Sequence, residues 1–133
     1  MTIKKVLIVD DDSNAVNLLT RMLTAHGYDA QGTIDPFEGY RLAVENSYDL
    51  ILLDIMMPNW SGFALCRELR LVEALQETPI YFVSAYSAVD VKVNAEDVGA
   101  NGLIFKPVRS QKIFELLNSM QLNPSEQHLE TSA

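Results

Sequence analysis

The residues Lys5-Val6-Leu7-Ile8-Val9 form an almost unbroken apolar run that stops on three aspartates, Asp10, Asp11 and Asp12. A run this short, rich in Val and Ile, suits a strand covered on both faces, the kind that parallel sheets are built from. Leu50–Leu53 (LILL) and Ile80–Val83 (IYFV) repeat the pattern, and Gly102–Phe105 (GLIF) is a shorter version of it. Asp29 to Ile34 reads as a weaker strand at an edge.

Segments of helical period separate these runs. Ala15, Leu18, Leu19, Met22 and Leu23 make one apolar stripe, with Asp12 or Ser13 as N-cap and Gly27 at the far end. Asp35-Pro36 opens the second helix as cap followed by first-turn proline. The third is expected from about Gly62 to Ala74, and Ile113, Leu116, Leu117 and Met120 mark the last. The fourth segment is ambiguous, because Val89, Val91 and Val93 alternate as in a strand. Ala88, Val91, Ala95 and Val98 also share a helical face, and Gly99 supplies a stop, so helix is preferred. The sum is (βα)5, an α/β fold with a doubly wound, five-stranded parallel sheet of flavodoxin-like architecture. One domain is expected over residues 1–122, with a polar tail or the start of a linker at 123–133.

Composition narrows the function. The chain has 133 residues and a formal net charge of −8, and no cluster of Lys and Arg makes a basic patch. Direct nucleic-acid binding and attachment to an anionic membrane are therefore disfavoured. No apolar stretch is long enough for a membrane span or a leader core, and Cys66 is the lone cysteine, which together suggest a cytoplasmic protein.

In a doubly wound sheet, ligands bind beyond the carboxyl ends of the strands, where strand order reverses. Asp10–Asp12 follow the first strand, Asp54 ends the third, Ser84 the fourth, and Lys106-Pro107 follow the fifth. Clustered carboxylates repel one another, and a divalent cation relieves this. Oxygen ligands without Cys or His suit Mg²⁺, with Mn²⁺ as the alternative. Such an ion would let a carboxylate accept a phosphoryl group, with Lys106 as a second countercharge and Ser84 as a hydrogen-bond donor. Each residue also has a plainer reading on its own: a helix cap for the acidic run, a turn residue for Asp54, a solvated lysine for Lys106. Cys66 reads as a small apolar filler, His26 as a partner of a helix C-terminus, and the methionines as packing. Trp60 is read either as incidentally exposed or as a partner contact.

VLIVDDD (Val6–Asp12), LLDIMMPNWSG (Leu52–Gly62), FVSA (Phe82–Ala85) and GLIFKP (Gly102–Pro107) together resemble the receiver domain of two-component response regulators. The resemblance covers about Lys4 to Leu122, with all the motifs in order. It implies that Asp54 is the phosphorylated aspartate and that Asp10 and Asp11, with Asp54 and the backbone carbonyl of Met56, hold the metal. It implies that Ser84 is the switch hydroxyl, Lys106 the phosphate-binding lysine, and Lys106–Pro107 a cis bond. The implied partners are a sensor histidine kinase or histidine phosphotransfer protein upstream, and a downstream protein or tethered effector domain. The implied output face is the fourth helix, fifth strand and fifth helix, with Leu103 and Val89 or Val93 on it and homodimerisation as one use. Such a protein is a phosphoacceptor switch rather than an enzyme, catalysing at most its own phosphorylation and slow dephosphorylation.

Two positions depart from the family. Leu103 stands where receivers commonly carry an aromatic switch residue, and bulky Met56 and Tyr86 flank the route of water to the acylphosphate. Competing chemistries fail on particular residues. A haloacid-dehalogenase-type phosphatase needs a second aspartate two positions after the first, where Met56 stands. A flavin carrier would meet its phosphate with Ser, Thr and Gly after the first strand, not with aspartates. A pseudo-receiver would lack the acceptor, metal and lysine set that this chain has complete.

Overall fold

Alternation along each strand decides which layer a residue serves. A computed structural model describes residues 4–85 and 89–121, and of Val89, Asp90 and Gln121 only the backbone. The strands are β1 (Lys5–Val9), β2 (Asp29–Thr33), β3 (Leu50–Asp54), β4 (Ile80–Ser84) and β5 (Gly102–Phe105). The helices are α1 (Ser13–Ala25), α2 (Pro36–Glu45), α3 (Gly62–Arg70), α4 (Val89–Asp97) and α5 (Ser110–Gln121). All strand pairs are parallel, in the order β2-β1-β3-β4-β5. Val6, Ile8, Leu50, Leu52, Val83 and Ile104 face the layer of α1 and α5. Leu7, Val9, Ile51, Leu53, Ile80 and Phe82 face α2, α3 and α4. The unbroken apolar runs are thus strands buried on both faces, and β2, with only Thr33 buried, is an edge.

Local chemistry sets the element ends. Asp12 is the N-cap of α1 and accepts from the Asn14 amide at 2.9 Å. Asp35 caps α2 with Pro36 in its first turn. Gly27 and Gly99 have φ of +87° and +89°, the left-handed conformation expected where a helix stops on glycine. The fourth segment is a helix that buries Ala95 and Val98 and packs Val91 in part. Ala88 and the 123–133 tail lie outside the described residues. Among the described residues, no helix is long and apolar enough to cross a membrane.

The third helix is shorter than expected. It ends at Arg70, not near Ala74, because Val72 turns to extended backbone and Glu73–Leu75 wind a separate 3-10 turn. The Arg70 side chain takes over the hydrogen bonding there. Its Nε donates to Gly99 O at 2.9 Å, and its Nη1 to Leu75 O and Thr78 O at 2.6 and 2.7 Å. Nη2 donates to Asn101 Oδ1 at 2.9 Å, an oxygen that also accepts from the Ile80 amide at 2.8 Å. One guanidinium therefore joins the end of α3, the 3-10 turn, the end of α4 and the starts of β4 and β5. Partial burial lowers the pKa of Arg70, but the group remains a cation.

Arg70→Met keeps much of the stem and removes these donors, leaving carbonyls at three chain crossings unsatisfied. It is expected to cost roughly 2–4 kcal/mol, read as a lower urea midpoint.

Candidate functional site

Strand order reverses between β1 and β3, so the residues just past these strands stand side by side. Val9 pairs with Leu53, which brings Asp10 beside Asp54. Ser84 pairs with Phe105, and the Lys106 amide donates to Ser84 O at 2.7 Å, which carries Lys106 past the end of β5. Its Nζ lies 2.9 Å from Asp10 Oδ2 and 3.5 Å from Asp54 Oδ1. Asp10, Asp54 and Ser84 are buried, whereas Asp11 is exposed. One carboxylate oxygen from each of Asp10, Asp11 and Asp54 falls within a 4.8 Å group. The expected acceptor, acidic pair, hydroxyl and lysine therefore converge on one edge. The peptide between Lys106 and Pro107 is cis.

The electrostatics follow from burial and crowding. Burial first, then the charge of Asp10, push the Asp54 carboxyl up from 3.8 to about 7, against the opposing pull of Lys106. Burial acts to lower the Lys106 ammonium, but Asp10 and Asp54 outweigh it and raise its pKa. Asp10 Oδ1 accepts from the Asp12 amide at 3.0 Å. Asp10 Oδ2 is buried without an aligned hydrogen-bond donor, so the ammonium meets it as a charge. A buried carboxylate oxygen in that condition, flanked by two further carboxylates, has the donor chemistry of a hard divalent cation site.

The loop after Asp54 is shaped to expose that edge. The Gly62 amide donates to Ile55 O at 2.8 Å, and a Cβ at Gly62 would stand 2.0 Å from Asp54 O, so only glycine fits there. Asn59 adopts a left-handed φ of 71°, and Ser61 caps α3. Trp60 is half-buried, with ring centroids 5.1 Å from Phe37 and 5.6 Å from Tyr40. It anchors the loop to α2. The expectation that every methionine packs fails at Met56, whose side chain is exposed while Ile55 and Met57 turn inward. Tyr86 lies outside the described residues. Cys66 is fully buried, and burial pushes its thiol up to about 11, which fits an inert filler. His26 is the C-cap of α1, its Nδ1 is 3.1 Å from Met22 O, and its ring packs on Phe114.

Leu103 packs partly against the core, and Val93 is exposed on α4. Phe105 is also half-exposed, one residue before Lys106. Nothing in the sequence marks it, because it ends the apolar run Gly102–Phe105. A hollow of about 480 Å³ flanks the site, lined by Leu18, Leu19, Val83, Lys106, Pro107 and Val108 among others.

The family model of the response regulator receiver domain matches residues 6–118. The chain is 36% identical over 103 residues to the DNA-binding dual master transcriptional regulator RpaA of Synechocystis, covering 77% of this chain and 43% of that protein. It is 36% identical over 116 residues to the response regulator ArlR of Staphylococcus saprophyticus, covering 87% of this chain and 51% of that protein. The chain thus spans about half the length of these curated relatives. The chemotaxis protein CheY4 of Vibrio cholerae superposes with a TM-score of 0.85 at 26% identity, over 90% of this chain and 99% of that one. A sensor histidine kinase receiver domain from Pseudomonas aeruginosa, with magnesium coordinated in its active-site cleft, gives 0.82 at 25% identity over 90% and 98%.

The raised Asp54 carboxyl makes a signed prediction. The folded protein binds this proton more tightly than the unfolded chain does. The group's contribution to stability is therefore full below about pH 4 and lost as pH rises through about 7. With a chelator present, Asp54→Asn is expected to be more stable than wild type at pH 8, by at most about 4 kcal/mol. The gap should be clearly smaller at pH 5. Urea melts at the two pH values measure both.

Proposed function

The chain belongs to the response regulator receiver domain family, and from that membership we propose that Asp54 is the residue of this chain that accepts the phosphoryl group. Phosphorylation on aspartate with a magnesium requirement is standard in the family. The observation that carries the assignment to Asp54 is the Lys106 ammonium standing between Asp10 and Asp54 at the sheet's reversal point.

Asp10, Asp11, Asp54 and the backbone carbonyl of Met56 would hold Mg²⁺, with Mn²⁺ as the alternative. When bound, the ion offsets charge on the transferring phosphoryl group. The chain's own residues do the rest. Asp54 acts as a carboxylate, so the proton that burial and the charge of Asp10 favour on it must leave first. An Asp54 oxygen attacks phosphorus, the bond from phosphorus to the donor's imidazole nitrogen breaks, and the imidazole leaves. Lys106 neutralises phosphoryl oxygens, and the Ser84 hydroxyl donates to one of them. Burial of Asp10 and Asp54 keeps these charges effective by excluding water.

In this reading the donor is a sensor histidine kinase or a histidine phosphotransfer protein. The apolar hollow beside Lys106 gives it a surface to rest on. The output is a downstream protein or a tethered effector domain, contacted through α4, β5 and α5, with a homodimer through that face as one form of it. Residues 1–122 make the receiver unit and 123–133 its tail or linker. The domain acts in the cytoplasm without contacting nucleic acid or membrane. Its own catalysis is limited to its phosphorylation and a slow dephosphorylation. Exposed Met56 supports the slow dephosphorylation, because a thioether two residues from Asp54 has no group to orient an attacking water.

Incubation with a small acyl-phosphate and Mg²⁺, followed by intact-mass measurement, should show one phosphate-sized gain in wild type and none in Asp54→Ala. No gain in wild type, or an equal gain in the variant, overturns the assignment. Decay of the loaded protein should be faster by about tenfold or more when Met56→Asn is combined with Tyr86→Glu, since a positioned proton acceptor is worth at least that much. An unchanged or slower decay would show that these side chains do not limit hydrolysis.

A further inference from the structure

Met56 is 61% exposed, whereas Met57 beside it is 8% exposed and Met22 and Met120 are half-buried. The backbone at Met56 is held from both sides. Ile55 and Met57 are buried, and the Gly62 amide donates to Ile55 O at 2.8 Å. The thioether therefore stands in solvent at a fixed place, two residues past the buried acceptor carboxylate of Asp54. The other oxidisable sulfur is out of reach. Cys66 is fully buried, and its raised thiol pKa leaves little reactive thiolate. Among the described residues, the sulfur open to a dissolved oxidant is thus the one beside the site.

A peroxide oxidises a thioether by oxygen transfer. A sulfur lone pair bonds to one peroxide oxygen, the O–O bond breaks, and the proton of the transferred oxygen passes to the departing one, giving water from hydrogen peroxide. Sulfur loses two electrons and the peroxide gains them. The product is a sulfoxide, polar but uncharged, and reductases specific for it can restore the thioether. We propose that Met56 is a reversible redox modification site: a peroxide converts it to the sulfoxide, whose oxygen then orients water toward a phosphoryl group on Asp54 and shortens its lifetime. This rests on the reading of Asp54 as the acceptor. A thioether is a weak hydrogen-bond acceptor, so it holds no water in place, whereas a sulfoxide oxygen accepts strongly. The neutrality of the sulfoxide suits this site. Asp10, Asp11 and Asp54 already crowd it with negative charge, and an added carboxylate would repel the phosphoryl group that water must approach. The side chain alone is changed, so the Met56 backbone carbonyl stays available as a ligand.

The test treats the full chain with hydrogen peroxide and maps the added oxygen by peptide mass. Met56 should be oxidised well before Met57. Oxidised and untreated protein are then loaded with acetyl phosphate and Mg²⁺, the donor is removed, and loss of the phosphate mass is timed. An oriented water falls short of the ~100-fold that a full general base gives, so decay about threefold faster or more is expected after oxidation. A methionine sulfoxide reductase with its thiol reductant should return the slow decay. Met56→Leu, which has no sulfur there, should decay at one rate with and without peroxide. Met56→Gln, which carries a neutral acceptor permanently, should decay faster than Met56→Leu. Three results overturn the proposal: Met57 oxidised ahead of Met56, Met56-oxidised protein that fails to load or decays no faster, or Met56→Leu responding to peroxide as wild type does. Absence of a phosphate mass gain in untreated protein overturns the Asp54 reading instead, and the effect on lifetime falls with it.

Discussion

Three carboxylates and one ammonium at the end of a parallel sheet are the constraint around which this protein is arranged. Asp10 and Asp54 are buried side by side, and two buried like charges on adjacent strands would be untenable without a countercharge. Lys106 supplies part of it from two strands away, and a proton on Asp54 supplies more below about pH 7. The site is therefore built with a deficit of positive charge. That deficit is what a bound divalent cation would offset. It also works against the metal-free fold, and the rest of the structure must carry that load.

The fold carries it through backbone geometry more than through further charges. β1 and β3 hold Asp10 and Asp54 in register, while Asp12 caps α1 and leaves Asp10 free of that task. Gly62 lets the following helix press against the Asp54 carbonyl, a closeness that any side chain would forbid. Trp60, wedged against Phe37 and Tyr40, ties the intervening loop to α2. At the opposite, amino-terminal edge, Arg70 binds the starts of β4 and β5 to the ends of α3 and α4. The sheet is thus clamped at one end and charged at the other.

Much of this was legible before any coordinates. Runs such as KVLIV and LILL can be little else than strands buried on both faces, and helical period with Asp and Gly at the ends gave the helices between them. Once strand order is inferred, the residues after β1, β3, β4 and β5 are the site by topology alone. The misses share a cause, which is that they depend on side-chain reach rather than on period. Sequence alone carries α3 to about Ala74, and nothing local announces that the Arg70 guanidinium will gather carbonyls from distant segments. Met56 was read as packing because Met is usually buried, yet alternation through Ile55 and Met57 turns it outward. Phe105 was hidden by belonging to an apolar run, although the last residue of a strand often outruns the helix that should cover it.

Charge counting sets what a phosphoryl group on Asp54, as proposed, would ask of the ends of β4 and β5. Ionised, the three aspartates and Lys106 sum to two negative charges, which a divalent cation cancels. An acylphosphate on Asp54 replaces one negative charge by about two, so the balance becomes negative again and the new charge lies farther from β3. No other cation of the described residues contacts the cluster. In the proposed reading, the Ser84 hydroxyl and the Lys106 ammonium, at the ends of β4 and β5, are the groups of that edge that would meet the excess. Those two strand ends are held to each other by the Lys106 amide on Ser84 O. The far ends of the same strands are pinned by Arg70 and Asn101. At the carboxyl end of β5, between these pinned starts and the charged edge, Phe105 stands half-exposed beside the cleft between α4 and β5.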